Sequence, residues 1–75
     1  MAIDLLQARI ILSLADNNMN AADVAKDLYL HRNTVHYHIR RIKKTTGKDP
    51  RHFYELAELI PMAEKIIEEW RDINA

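Results

Sequence analysis

The sequence predicts an all-α fold of four to five short helices, and three observations carry that expectation. Chain breakers are scarce: the 75 residues include one glycine, Gly47, and two prolines, Pro50 and Pro61. That leaves little room for hairpins or a glycine-rich phosphate loop. Apolar residues recur at helical spacing along most of the chain. Between these stretches lie short polar clusters with turn and capping chemistry, Asp16-Asn17-Asn18 and the Gly47–Pro50 stretch.

The first helix is expected over Leu5 to Ala15, with Asp4 as N-cap. Leu6, Ile10 and Leu14 form a stripe at four-residue spacing, widened by Ile3 and Ile11. Asn20-Ala21-Ala22-Asp23 resembles a capping box that opens a second helix, ending at Leu28 and burying Val24, Ala25 and Leu28. Tyr29-Leu30-His31 connects it to a third helix over Arg32 to Thr45, closed by Gly47, and Leu30 is expected to plug the space between helices. Asp49-Pro50 is expected to start the next helix as a cap followed by proline, with Phe53, Leu56, Ala57 and Ile60 as its apolar face. Pro61 either kinks that helix or starts another. The pattern divides the chain into a unit over 1–60 and a C-terminal amphipathic helix over 61–75. In that helix Ile66, Ile67, Trp70 and Ile73 share one side. They either complete the core or pair with a second copy.

Composition narrows the function classes. Nearly half the residues are hydrophobic, 48%, enough for a helical core in one small domain. The chain has no cysteine, hence no disulfide framework and no thiolate metal site. No apolar run approaches the roughly 20 residues that span a membrane. Asp4 and Arg9 interrupt the N-terminal apolar stretch where a signal peptide would be uniformly apolar. A cytoplasmic location is therefore expected.

Charge is the sharpest signal. Eleven basic and eleven acidic residues cancel overall, yet from Leu28 to Lys48 there are six Lys or Arg, three His and no acidic residue. Solvated helices usually mix signs. Projected at about 100° per residue, Val35, Ile39 and Ile42 fall within about 60° of one another and form a buried seam. Asn33, Tyr37, Arg40 and Lys44 point away from that seam, with His36 and Arg41 on its flanks. A helix, a three-residue turn at 29–31 and a basic second helix make a helix-turn-helix, the electrostatic footprint of a DNA-binding domain. Asn pairs bidentately with adenine and Arg with guanine in the major groove. Arg32, Asn33, His36, Tyr37 and Arg40 are accordingly expected at base edges. Tyr29, His31, Thr34, Arg41, Lys43, Lys44 and Lys48 are expected at phosphates, giving affinity without sequence choice.

Ala25 to Val35 and Arg40 to Gly47 resemble the C-terminal helix-turn-helix of PucR/CdaR-type bacterial regulators. The resemblance rests on Ala25, Leu28, His31, Arg32, Asn33, Thr34, Tyr37, Ile42, Thr46 and Gly47, and spans about 6–59. The block Arg32-Asn33-Thr34-Val35 is also similar to the Fis-type helix-turn-helix. The resemblance implies sequence-specific binding of double-stranded DNA in transcriptional regulation. It also implies either a segment of a longer regulator, whose effector-binding region lies outside this chain, or a small stand-alone relative, with the former preferred. The chain departs from the family pattern at His36 and His38, where Arg is usual, so two permanent charges become titratable ones.

Blander readings compete at several positions. His36 and His38 diverge by about 200° on a helix and no carboxylate joins them, so neither a metal site nor any other cofactor is expected. His31 serves equally as a cap for the third helix, and His38 sits near enough the seam to pack into the domain. His52 is expected at the surface. Tyr29 is either a half-buried ring over the turn or a phosphate contact. Asp23 and Asp27 fit a cap or a solvated face better than paired acid–base work, and no oxyanion loop accompanies Tyr29 or Tyr37, so no enzyme is expected. The rival from another class is a helical protein-interaction module whose basic face binds an acidic partner.

Overall fold

A computed structural model describes residues 3–74. It has four helices, α1 (Leu5–Asp16), α2 (Ala21–Leu28), α3 (Arg32–Thr46) and α4 (Phe53–Asn74), and no strand among the described residues. The first three lie within one residue of the boundaries the sequence predicts.

α1 begins with a complete capping box. The Asp4 carboxylate accepts from the Gln7 amide at 2.7 Å, and the Gln7 side chain accepts from the Asp4 amide at 3.1 Å. Ala8, Ile10, Ile11 and Leu14 are buried without residual exposure. Apolar burial of this kind contributes about 1.5–3 kcal/mol per large side chain. α1 touches α2, α3 and α4, and its largest interface is with α4. Leu5 shares a groove with Ile67 and Trp70, and Ala15 another with Phe53, Leu56 and Ile60, so α1 and α4 run antiparallel. The backbones of α3 and α4 stay farther apart, with no Cα of one within 8 Å of a Cα of the other.

α2 is held to α1 by a polar tie. Ser13 Oγ, itself buried, donates to Asp27 Oδ2 at 2.7 Å, and Asn17 Nδ2 donates to Ser13 Oγ at 3.1 Å. Asp27 is thus an inter-helix anchor and not merely part of a solvated face. At the start of α2, Asn20 Oδ1 accepts from the amides of Ala22 and Asp23 at 2.9 and 3.1 Å. The forward half of the expected box is therefore present, and Asp23 supplies its charge in the first turn. Val24 and Ala25 are buried, while Leu28 and Leu30 are half-buried against the core.

Two expectations at α4 are corrected. Asp49-Pro50 does not open the helix; the helix starts at Phe53, and residues 48–52 form a corner. Asp49 is 3% exposed because three donors occupy its carboxylate: the Arg51 amide at 2.9 Å, and Arg51 Nε and Nη2 at 3.1 Å each. Lys43 Nζ of α3 approaches to 3.7 Å. The Asp49 amide donates to Glu55 Oε1 at 2.8 Å, and Glu55 Oε2 meets His52 Nδ1 at 2.7 Å. With both carboxylate and amide engaged within the corner, Asp49 closes a turn where it was expected to cap a helix. The face expected for α4 is present but incompletely covered: Phe53, Leu56, Ala57 and Ile60 line one groove beside Ala15, yet Phe53, 64% exposed, and Ala57 remain open to solvent, while Leu56, Leu59 and Ala63 are buried.

Pro61 interrupts nothing; α4 continues through it. Pro61 and Ala57 both lie on the exposed side, so the Ala57 carbonyl that loses its helical donor can meet water. The boundary expected at 60/61 falls inside this single helix. Ile66 and Ile67 pack against the core, while Trp70 and Ile73 are 48% and 82% exposed.

The donors at Asp49, first among them the Arg51 guanidinium, lower its carboxyl from 3.8 to about 2. The Asp49 carboxylate in turn raises Arg51, and the Asp49 amide together with His52 lowers Glu55. Because the Asp49 value is depressed in the folded state, its stabilisation is fully present above about pH 4 and is lost as pH falls through about 2. Asp49→Ala is expected to cost about 1.5–3 kcal/mol near pH 6, the usual worth of hydrogen bonds to a charged group. Urea unfolding of parent and variant should show that difference shrinking between pH 4 and pH 2.

Candidate nucleic-acid interface

The turn between α2 and α3 is built by the backbone before any side chain contributes. The Leu30 amide bonds the Ala25 carbonyl at 2.8 Å and the Tyr29 amide approaches the Lys26 carbonyl at 3.4 Å, the double closure of a Schellman ending. Tyr29 occupies its left-handed position, with φ +56°. Leu30 then turns inward onto the core as expected. His31 caps α3: its Nδ1 accepts from the Asn33 amide at 3.1 Å, and its carbonyl accepts from Thr34 and Val35. Gly47, at φ +74°, ends the helix.

Val35, Ile39 and Ile42 form the buried seam, none more than 2% exposed. Opposite them Asn33, Tyr37, Arg40 and Lys44 are all exposed and follow one another every three or four residues. This is the row the sequence predicts, and it stands free of any other helix. Arg32 and Arg41 are exposed beside it, and Thr34 and His36 are half-buried on its flanks. Among the described residues Arg32, Arg40, Arg41 and Lys44 form no ion pair. Lys43 and Lys48 do, with Asp49 at 3.7 Å and Glu58 at 3.4 Å. The unpaired positive charge therefore lies along the outward face, and the end of α3 is partly neutralised.

Tyr29 is 94% exposed. A half-buried ring over the turn is thereby overturned: the left-handed backbone at this position throws the side chain outward. His38 is half-buried, as its place near the seam predicts. Its Nδ1 lies 3.3 Å from Gln7 Nε2 of α1, and its ring stands edge-on to Tyr37 with centroids 5.2 Å apart. Gln7 is the residue that the sequence reading passed over. Its signal was the Asp4-x-x-Gln7 spacing, a capping-box pattern. His52 is exposed and sits in the corner before α4. No three His, Asp or Glu side chains converge as metal ligands among the described residues. No described helix is long and apolar enough to cross a membrane.

A short helix, a Schellman turn and an exposed basic helix seated on a third helix define a helix-turn-helix DNA-binding domain. Comparison with family models gives the same result: residues 8–60 match the PucR C-terminal helix-turn-helix domain, and the chain belongs to that family of transcription regulators. None of the curated proteins and none of the solved structures matches it.

Tyr29 holds the left-handed conformation at a cost of about 1–2 kcal/mol for a side-chain-bearing residue. Glycine removes that cost and returns about 0.5–1 kcal/mol as unfolded-state entropy. Because the ring is 94% exposed, no packing is lost. Tyr29→Gly should therefore stabilise the domain by about 0.5–1 kcal/mol in urea unfolding.

Proposed function

We propose that this domain reads double-stranded DNA sequence-specifically in transcriptional regulation, with α3 in the major groove. The observation that carries the reading is the exposed row Asn33, Tyr37, Arg40 and Lys44 on the side of α3 opposite its buried seam. Recognition helices read bases with their N-terminal part. Arg32, Asn33, His36, Tyr37 and Arg40 thus take the base edges. Tyr29, His31, Thr34, Arg41 and Lys44 take phosphates, joined more weakly by Lys43 and Lys48, whose charge is shared with Asp49 and Glu58. The domain acts by binding, without catalysis. Trp70 and Ile73 are exposed at the end of α4, so that end is available for pairing two copies on a two-fold site.

Selection from random duplexes, followed by anisotropy titration at several salt concentrations, tests this reading. An enriched motif with steep salt dependence is expected, and a palindromic motif would mean two copies per site. Asn33→Ala and Arg40→Ala should each relax the preference at one base pair by about 1–3 kcal/mol. Lys44→Ala should weaken all sequences alike and lower the salt slope by about 1. If Arg40→Ala and Lys44→Ala behaved identically on every duplex, specific readout by α3 would be refuted. Absence of binding even at low salt would favour a protein-interaction module with an acidic partner.

A further inference from the structure

Gln7 is buried in the first turn of α1, and its side chain reaches α3. Its amide has a defined orientation. The Asp4 backbone N–H can only donate, so the Gln7 atom it meets at 3.1 Å is the oxygen, and the NH2 points the other way. That NH2 lies 3.3 Å from His38 Nδ1. An NH2 group donates and does not accept, so this contact is a hydrogen bond when Nδ1 receives with its lone pair, the tautomer that carries the ring proton on Nε2. The same ring stands edge-on to Tyr37, planes at 79° and centroids 5.2 Å apart, a favourable aromatic geometry. Tyr37 is 52% exposed in the centre of the outward row.

We propose that Gln7 is a positioning residue for base recognition, acting through the His38 ring on the rotamer of Tyr37. The proposal rests on the DNA-reading function above. A helix that presents nothing to the groove thereby fixes a side chain that does. His38 is the link because one edge of its ring is anchored in the core while another meets a residue of the reading face. A residue serving only the α1 cap would affect stability alone.

Two variants separate these roles. Gln7→Glu keeps an acceptor for the Asp4 amide and removes the donor toward His38; Gln7→Met removes both. Long-range proton–nitrogen NMR spectra of the intact protein should show His38 protonated on Nε2 and not on Nδ1. In Gln7→Glu the Nδ1 should acquire a proton, and the Tyr37 ring resonances should move in both variants. A protonated Nδ1 in the parent, or unmoved Tyr37 resonances in both variants, would overturn the proposal. On the selected DNA, Gln7→Glu should reduce discrimination by roughly 2- to 10-fold at the base pair that depends on Tyr37. Preference at the Arg40 pair should not change, and Gln7→Glu should have no further effect in a Tyr37→Ala background. Uniform weakening across all base pairs, or an undiminished effect without Tyr37, would contradict the relay. If the parent bound no DNA, the proposed function would fall, while the NMR measurement would still decide whether Gln7 orders His38 and Tyr37.

Discussion

Burial of α1 is the constraint on which the other elements depend. At 12 residues it is at the margin for an isolated helix in water, and it exists because Ala8, Ile10, Ile11 and Leu14 are taken entirely out of solvent. Its backbone also approaches that of each other helix closely. α2, at eight residues, is too short to persist alone, and α3 is rich in β-branched residues on its inner side, which lowers its intrinsic helix preference. Their placement comes from packing on α1 and from side-chain ties such as Ser13 to Asp27. Among the described residues no buried side-chain polar atom lacks a partner. The outward face of α3 is thus oriented from behind.

Much of this was legible in the sequence because helical periodicity reports which side is buried. Val35, Ile39 and Ile42 could be assigned inward from spacing alone, which made Asn33, Tyr37, Arg40 and Lys44 outward by subtraction. Cap chemistry located the ends of α1, α2 and α3. The start of α4 was misread because Asp-Pro favours helix entry only when the aspartate is free to cap. Here Arg51, two residues on, occupies the carboxylate and turns it into the centre of a corner. No one-dimensional pattern reveals that competition.

At the candidate interface, sequence gave the identity of the outward side chains but not their mutual obligations. Lys43 and Lys48 looked equivalent to Lys44 until Asp49 and Glu58 were found beside them. His38 could be placed near the seam by angle, yet its contact with Gln7 spans 31 residues of chain and needed the tertiary fold. Tyr29 was ambiguous because tyrosine rarely adopts a left-handed backbone. Only the observed φ of +56° shows which way it points.

The separation of charge between helices has a consequence for approach. α3 carries five positive side chains and no negative one, whereas α4 carries six acidic residues against two basic ones. The exposed charges of α3 are those of its outward side, and no Cα of that helix comes within 8 Å of one in α4, so the two sets of charge stand apart. A neutral molecule built this way has no monopole to draw it toward a polyanion from afar. It has a dipole, and the field of a nearby polyanion exerts a torque that turns the positive end inward. Such a domain would not accumulate indiscriminately along an anionic surface, but would arrive at close range already rotated to present α3.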